Sequence, residues 1–375
     1  MITKEAIISR RLDNQQIGAS GTGGPEDLVS WLGCIQAQDF AGAKWAIGSR
    51  LVGQTDGDIQ RAFNEGRILR THILRPTWHF VTPEDIGWML TLTAPRIKAF
   101  CAGMHRQLEL DETTFQRSHT ILQKALSGGV QLTRKELLPV FRRAKIRTDE
   151  LRLAQLLMQA ELDGIICSGA MNGKQFTYAL LEERAPVVKK MSQEEAVAEL
   201  VLRYFRSRGP ATLADFAWWS GLTVADGKKG VDACRSLLVN EVVDEQSYWV
   251  YSGPTASPSL AGPLSRACVT GLPSPDPAVL RALPAFDEYT VAYKDRDLVL
   301  SPKHALRSGN GIFKPILLRE GKIVGTWQRT IKKDHIAVTA DMFRPGGSRL
   351  LKTAFTRYEA FMEKSVVCQT DKDWD

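Results

Sequence analysis

Cysteine is scarce and scattered in this chain. The six present (Cys34, Cys101, Cys167, Cys234, Cys268 and Cys368) form no CxxC pair and have no paired histidines nearby. That spacing argues against a zinc module and a disulfide framework, and fits a reducing compartment. No run of about eighteen apolar residues occurs, and MITKEAIISRRLD at the start has neither a long apolar core nor a cleavage site. The expectation is a soluble cytoplasmic protein with no membrane partner, nucleoid-associated if bacterial. A Walker loop, GxGxxG, GxSxG and HExxH are also missing. Their absence gives no support to P-loop, dinucleotide, serine-hydrolase or zinc-peptidase chemistry. No metal and no cofactor is expected.

What is present is an ordinary globular mixture, 43% hydrophobic and 24% charged, over 375 residues. That length exceeds what one core usually serves, so two to four compact units are expected. The formal charge of +7 favours a polyanionic partner.

Three regions repeat one grammar of helices followed by a β-rich segment with a turn, the pattern of a winged helix-turn-helix. In the middle copy LTRKELLPVFRRA offers Thr133 as N-cap and Glu136 at capping-box spacing. Thr148 or Asp149 is expected to cap the next helix, which stops at Gly164, and Asn172-Gly173 reads as a hairpin turn. The third copy runs from about Ser192 to Tyr251 and ends in the hairpin EVVDEQSYWVY. The first, about Thr3 to Val81, is less regular. From Gly253 a Pro/Gly/Ser-rich linker leads to short β-like runs (DLVLS, FKPILLRE, KIVGTW, HIAVTA), a closing helix near 349–363 and an acidic tail, DKDWD. The expected fold is α+β: three tandem winged helices plus a small C-terminal β-barrel. The expected boundaries are 1–115, 116–190, 191–252 and 253–375.

In IQAQDF, Gln36 and Gln38 project to one side if the segment is extended and diverge if it is helical. A glutamine pair can hold a water or a base edge without titrating. The competing reading is two amides capping buried backbone. Asp39 could add a carboxylate, or simply cap a helix. In HILRPTWHFV, His79 reads as an active-site group or as a satisfied buried histidine. Arg75, held extended by Pro76, suits a phosphate contact or an ion pair. The densest basic stretch holds Arg134, Lys135, Arg142, Arg143, Lys145, Arg147 and Arg152. It is either a solvated face or a phosphate-binding surface. Arg329, Lys332 and Lys333 add basic groups near Trp327. The acids of FDEYTVAYKDRD (Asp287, Glu288, Asp295, Asp297) could hold a nuclease metal, but no partner acid motif supports that.

The segments RRL near Arg10, IQAQDF, RTHILRPTWHFVTPEDI, FTYALLEER, YFRSRGPATLADFAWWSGL, LPAFDEYTVAYKDR and GKIVGTWQR occur in order over roughly residues 10–330. This chain resembles the AlkZ/YcaQ-type winged-helix DNA glycosylases along most of its length. The resemblance implies three tandem winged helices and a β-barrel around duplex DNA, acting as a monomer on alkylated or crosslinked bases. It identifies Gln36 and Gln38 with the Gln-x-Gln motif of the AlkZ-like branch, where the YcaQ-like branch has Gln-x-Asp. It implies excision of bases alkylated at ring nitrogens, N7-alkylguanine above all, and in some members unhooking of interstrand crosslinks. Relatives place a β-hairpin in the minor groove. The candidates here are the loop from Lys303 through Arg307 to Asn310 and the Glu320-Gly321 turn. The alternative reading is a non-catalytic winged-helix DNA-binding protein or transcription regulator, which would prefer particular sequences where a repair enzyme would not. A third is self-resistance to one genotoxin.

Overall fold

The computed structural model describes residues 2–18, 23–149, 151–185, 189–253, 279–304, 306, 313–343 and 348–370. Side-chain caps set many of the helix starts. Thr3 opens α1 (Lys4–Asn14) by accepting from the Ala6 N–H, and Thr55 and Asp58 cap α4 (Asp56–Asn64) reciprocally. Between them lie α2 (Pro25–Leu32), β1 (Ile35–Gln36) and α3 (Phe40–Gly48). Strands β2 (Leu69–His72) and β3 (Trp78–Val81) follow, and α5 (Pro83–Gln107) leads to the next region.

A second series runs α6 (Glu112–Leu126), β4 (Leu132–Thr133), α7 (Arg134–Arg143), α8 (Arg152–Leu162), β5 (Ile166–Ser168), β6 (Thr177–Leu180) and α9 (Leu181–Arg184). The third comprises α10 (Gln193–Arg208), α11 (Leu213–Ser220), α12 (Val224–Ala233), β7 (Leu238–Val243) and β8 (Gln246–Tyr251). The first two sheets have the same order, β1-β3-β2 and β4-β6-β5. In the third, an isolated bridge from Ala211 to Trp249 stands beside the β7-β8 hairpin where the others have a first strand.

The C-terminal part holds β9 (Arg281–Leu283), a short helix Glu288–Val291, β10 (Ile316–Arg319), β11 (Lys322–Ile331), β12 (Ile336–Met342), a helix Ser348–Met362 and β13 (Val366–Thr370). Its five strands are ordered β13-β12-β11-β10-β9, with β13 parallel to β12. Among the described residues this ladder is open, and the expected barrel is a curled half-barrel.

Two cores hold the β1-β3-β2 sheet from opposite sides. Leu28, Ile47, Phe63 and Phe80 pack in one cluster with Leu317, Trp327, Tyr358 and Phe361 of the C-terminal part. Leu69, Val81 and Met89 share another with Leu200, Tyr204, Phe216 and Trp219. Contact with the C-terminal helix is close at Gly48, where an added Cβ would lie 2.3 Å from the Phe361 ring. Any side chain there would have to displace a buried aromatic.

The expected Thr133–Glu136 capping box is present. The helix after the basic stretch starts later than expected: α8 begins at Arg152 with Leu151, which has no capping side chain, at the N-cap, and Asp149 pairs with Arg147 at 3.0 Å. The expected Asn172-Gly173 turn is shifted by one residue, with Asn172 and Gln175 paired across Gly173 and Lys174. DLVLS folds as turns and not as a strand. Most of the linker expected from Gly253, the tail DKDWD and most of 303–310, Arg307 included, lie outside the described residues.

Candidate active site

Gln36 ends β1 opposite His79 of β3, and His79 stands opposite Thr71 of β2. The three side chains therefore share one face of the sheet. Ala37 prolongs the ladder by donating its N–H to the Trp78 carbonyl at 2.7 Å. The chain then bends at Gln38 and Asp39, and the Asp39 carboxylate accepts from the Gly42 N–H at 3.0 Å and caps α3. Gln36 thus lies in a strand, while Gln38 lies beyond the ladder at the bend into α3. Gln36 is buried at 7% exposure while Gln38 is exposed.

Gln36 is anchored at two points. Its side-chain Oε1 accepts from Arg75 Nη2 at 2.9 Å, and its backbone N–H donates to Glu288 Oε1 at 3.0 Å. The other oxygen of Glu288 accepts from Arg208 Nε at 3.0 Å, Arg208 Nη2 at 2.6 Å and Trp219 Nε1 at 3.0 Å. Arg208 in turn donates to the carbonyls of Leu32 and Cys34 at 2.6 and 3.0 Å. One buried ion pair thus holds the backbone on both sides of the turn into β1. Asp287 is similarly consumed, gripped by Arg50 at 2.8 and 2.9 Å. These acids organise the interior, and among the described residues no cluster of His, Cys, Asp and Glu could hold a metal.

His79 is fully buried, and its Nδ1 contacts the Thr77 carbonyl at 2.9 Å. Burial, reinforced by the nearby Arg75 cation, holds its pKa well below the usual histidine value. It is neutral at physiological pH and polar without being a cation. The opposite face of the sheet carries Arg70 between the rings of Trp78 and Phe176, and His72 bonded through Nδ1 to Glu161.

Of the expected DNA-binding groups, Arg134, Lys135, Arg142, Arg143 and Lys145 are exposed on and just after α7. Arg147 is exposed too but paired with Glu109 and Asp149. Arg152 is buried and spends its donors on the carbonyls of Arg147, Leu108 and Glu109. It belongs to the fold and not to the basic face. Arg329 bonds to the Tyr358 hydroxyl, while Lys303, Lys332 and Lys333 are exposed.

The Glu320-Gly321 turn cannot enter a groove. Gly321 is buried, its carbonyl accepts from Tyr289 Oη at 2.7 Å, and an added Cβ would lie 2.0 Å from Ile8. A second charged turn joins β11 and β12. Its tip runs Lys332-Lys333-Asp334-His335, closed by a 2.9 Å bond from Lys332 N–H to the His335 carbonyl, with Ile331 54% exposed beside it. Periodicity around TWQRTIKKDHI could have found this tip, since two alternating runs flank a short charged turn. Arg70 and the Arg208–Glu288 pair carry no such signal, because their importance lies in distant partners.

Comparison with known proteins agrees with this architecture. A curated relative from Streptomyces sahachiroi described as "Interstrand DNA cross-link repair glycosylase" is 23% identical over 342 residues, 86% of each chain. The solved structure of Streptomyces sahachiroi DNA glycosylase AlkZ superposes with a TM-score of 0.77 at 19% identity, covering 98% of this chain and 99% of that one. The family model for DNA glycosylase AlkZ-like proteins matches residues 29–361, and the chain belongs to that family.

Proposed function

We propose that this protein is a monofunctional DNA glycosylase that hydrolyses the N-glycosidic bond of N7-alkylguanine-type lesions and unhooks interstrand crosslinks made through them. The observation that carries this reading is the Gln36-Ala37-Gln38 segment, which runs from the end of β1 to the bend before α3. One glutamine is anchored by Arg75 and, through its backbone, by Glu288, while the other is exposed to an incoming strand. Alkylation at N7 makes guanine a cationic leaving group that needs little protonation. The remaining tasks are stabilising an oxocarbenium-like sugar and placing water. Amide carbonyls suit both, because they present negative dipoles at any pH. The description of the curated relative supports the crosslink part of the reading.

The three repeated units act as winged helices. Arg134, Lys135, Arg142, Arg143 and Lys145 hold phosphates, and the Lys332–His335 tip enters a groove. A crosslinked base is tethered to the opposite strand and cannot rotate fully out of the stack, which an exposed Gln38 accommodates. The protein works as a monomer on duplex DNA without a cofactor. No described helix is long and apolar enough to cross a membrane.

The test is incubation with duplex DNA carrying one N7-methylguanine, followed by alkaline strand cleavage and, separately, by borohydride. Free base and an alkali-labile site with no trapped protein–DNA adduct are expected. A trapped adduct would contradict monofunctional hydrolysis. Tight, sequence-dependent binding without base release would favour the regulator.

A further inference from the structure

On the face of the sheet opposite Gln36, one guanidinium has unfilled donors. Arg70 lies on β2 and is 7% exposed. Its Nε donates at 3.1 Å to the carbonyl of Ala37, the residue between the two glutamines. Its guanidinium carbon lies 4.3 Å from the Trp78 ring centroid and 4.5 Å from that of Phe176. The plane is therefore held between two aromatic faces and anchored at one end. Neither Nη atom hydrogen-bonds to a described residue, and neither is among the side-chain atoms sealed from solvent without a partner.

The acid that acts on it electrostatically, Glu161, spends Oε2 on His72, on both Nδ1 and the backbone N–H. Burial brings the pKa of Arg70 down to about 10, so it stays a cation at neutral pH. A planar cation already immobilised, with its outer edge unfilled, loses little entropy on taking up an oxyanion. The surroundings extend the same charge outward. The Arg70 backbone N–H donates to Ser168 Oγ at 2.8 Å, and Ser168 and Leu132 both stand opposite Tyr178, so the exposed start of α7, two residues after Leu132, follows the same sheet.

We propose that Arg70 grips a non-bridging oxygen of a DNA phosphate flanking the excised nucleotide. Through Ala37 it ties the position of the strand to the segment bearing Gln36 and Gln38. It is a positioning residue, and the proposal rests on the glycosylase reading above. A phosphate is favoured over a base edge because the fork is recessed between rings, where a charged, protruding group reaches it most readily.

The experiment is a methylphosphonate scan. Duplexes with one N7-methylguanine carry a single neutral linkage at each of the nearest phosphates in turn, and single-turnover excision is measured for wild type, Arg70→Met and Arg70→Lys. Wild type should slow about ten- to a hundredfold at one or two linkages. Arg70→Met should be slow on the all-phosphate duplex and indifferent to those same linkages. Arg70→Lys should recover affinity more than rate, because an ammonium keeps the charge and loses the fork. If no linkage slows wild type, or if Arg70→Met feels each one as wild type does, the proposal is overturned; the first outcome does not depend on any variant folding. A defect in Arg70→Met that follows the neighbouring base would assign Arg70 to base reading instead. If wild type leaves the all-phosphate duplex intact, the glycosylase reading fails and this proposal with it. If wild type excises and the scan is blind to Arg70, this proposal alone fails.

Discussion

Replacing Glu288 by alanine separates architecture from chemistry. The carboxylate is 1% exposed and accepts four hydrogen bonds, two from Arg208, one from Trp219 and one from the backbone of Gln36. Its removal leaves the Arg208 guanidinium, itself 0% exposed, as an uncompensated buried cation. That costs about 3–5 kcal/mol. At roughly 2 cal/mol/K of unfolding entropy per residue, the loss lowers the melting temperature by about 4–6 °C. Gln36 loses one of its two anchors, so excision per folded molecule should fall about tenfold, equally across pH. The assay is a thermal melt together with single-turnover excision on N7-methylguanine duplex. A control pairs Glu288→Ala with Arg208→Met. Removing both charges should restore most of the stability, since an apolar replacement of a buried pair is often nearly neutral. An unchanged melting temperature for Glu288→Ala would refute the reasoning. So would complete loss of excision at unchanged stability, which would place the carboxylate in the reaction itself.

Removing charge from α7 with Arg142→Ala and Arg143→Ala should weaken binding to every duplex alike and reduce the salt dependence by about one unit per lost contact. Unchanged affinity and slope in a titration from low to moderate salt would make those arginines a solvated face. His79 predicts an acid-labile fold. Its native pKa lies well below 6.5, so below about pH 6.5 the unfolded chain takes up a proton that the native state refuses. Stability falls by up to about 1.4 kcal/mol per pH unit from this group as pH drops. His79→Gln should flatten that part of the melting profile between about pH 5 and 7, and an unaltered profile would reassign the acid sensitivity.

Local signals were legible in the sequence where they are local in origin. Thr133 and Glu136 cap α7 as their spacing indicates, and Gly209 follows α10 directly. The EVVDEQSYWVY hairpin is β7–β8. Helix α3 was missed because FAGAKWAIG is small and apolar on nearly every side, a pattern that a buried strand shares. The same ambiguity hid the conformation of Gln36, which β3 fixes as its partner strand. Asp287 and Glu288 looked like free acids in sequence. Their partners, Arg50 and Arg208, lie 237 and 80 residues away, and no periodicity encodes such a pairing. Arg152 was grouped with the basic face for the converse reason, since the other basic residues of its stretch are exposed while it folds back onto loop carbonyls.

The central claim is that Gln36 and Gln38 act on the bond-breaking step. The most direct measurement is single-turnover release of N7-methylguanine from duplex DNA by wild type, Gln36→Ala and Gln38→Ala, with duplex affinity measured alongside. Each substitution should slow release by about 30- to 1000-fold, the loss of roughly 2–4 kcal/mol of transition-state stabilisation. Affinity should stay within about threefold, because phosphates supply most of the binding energy. Release at the wild-type rate by both variants would contradict the account, as would abolition of release by Asp39→Asn alone, which would move the chemistry to the neighbouring carboxylate.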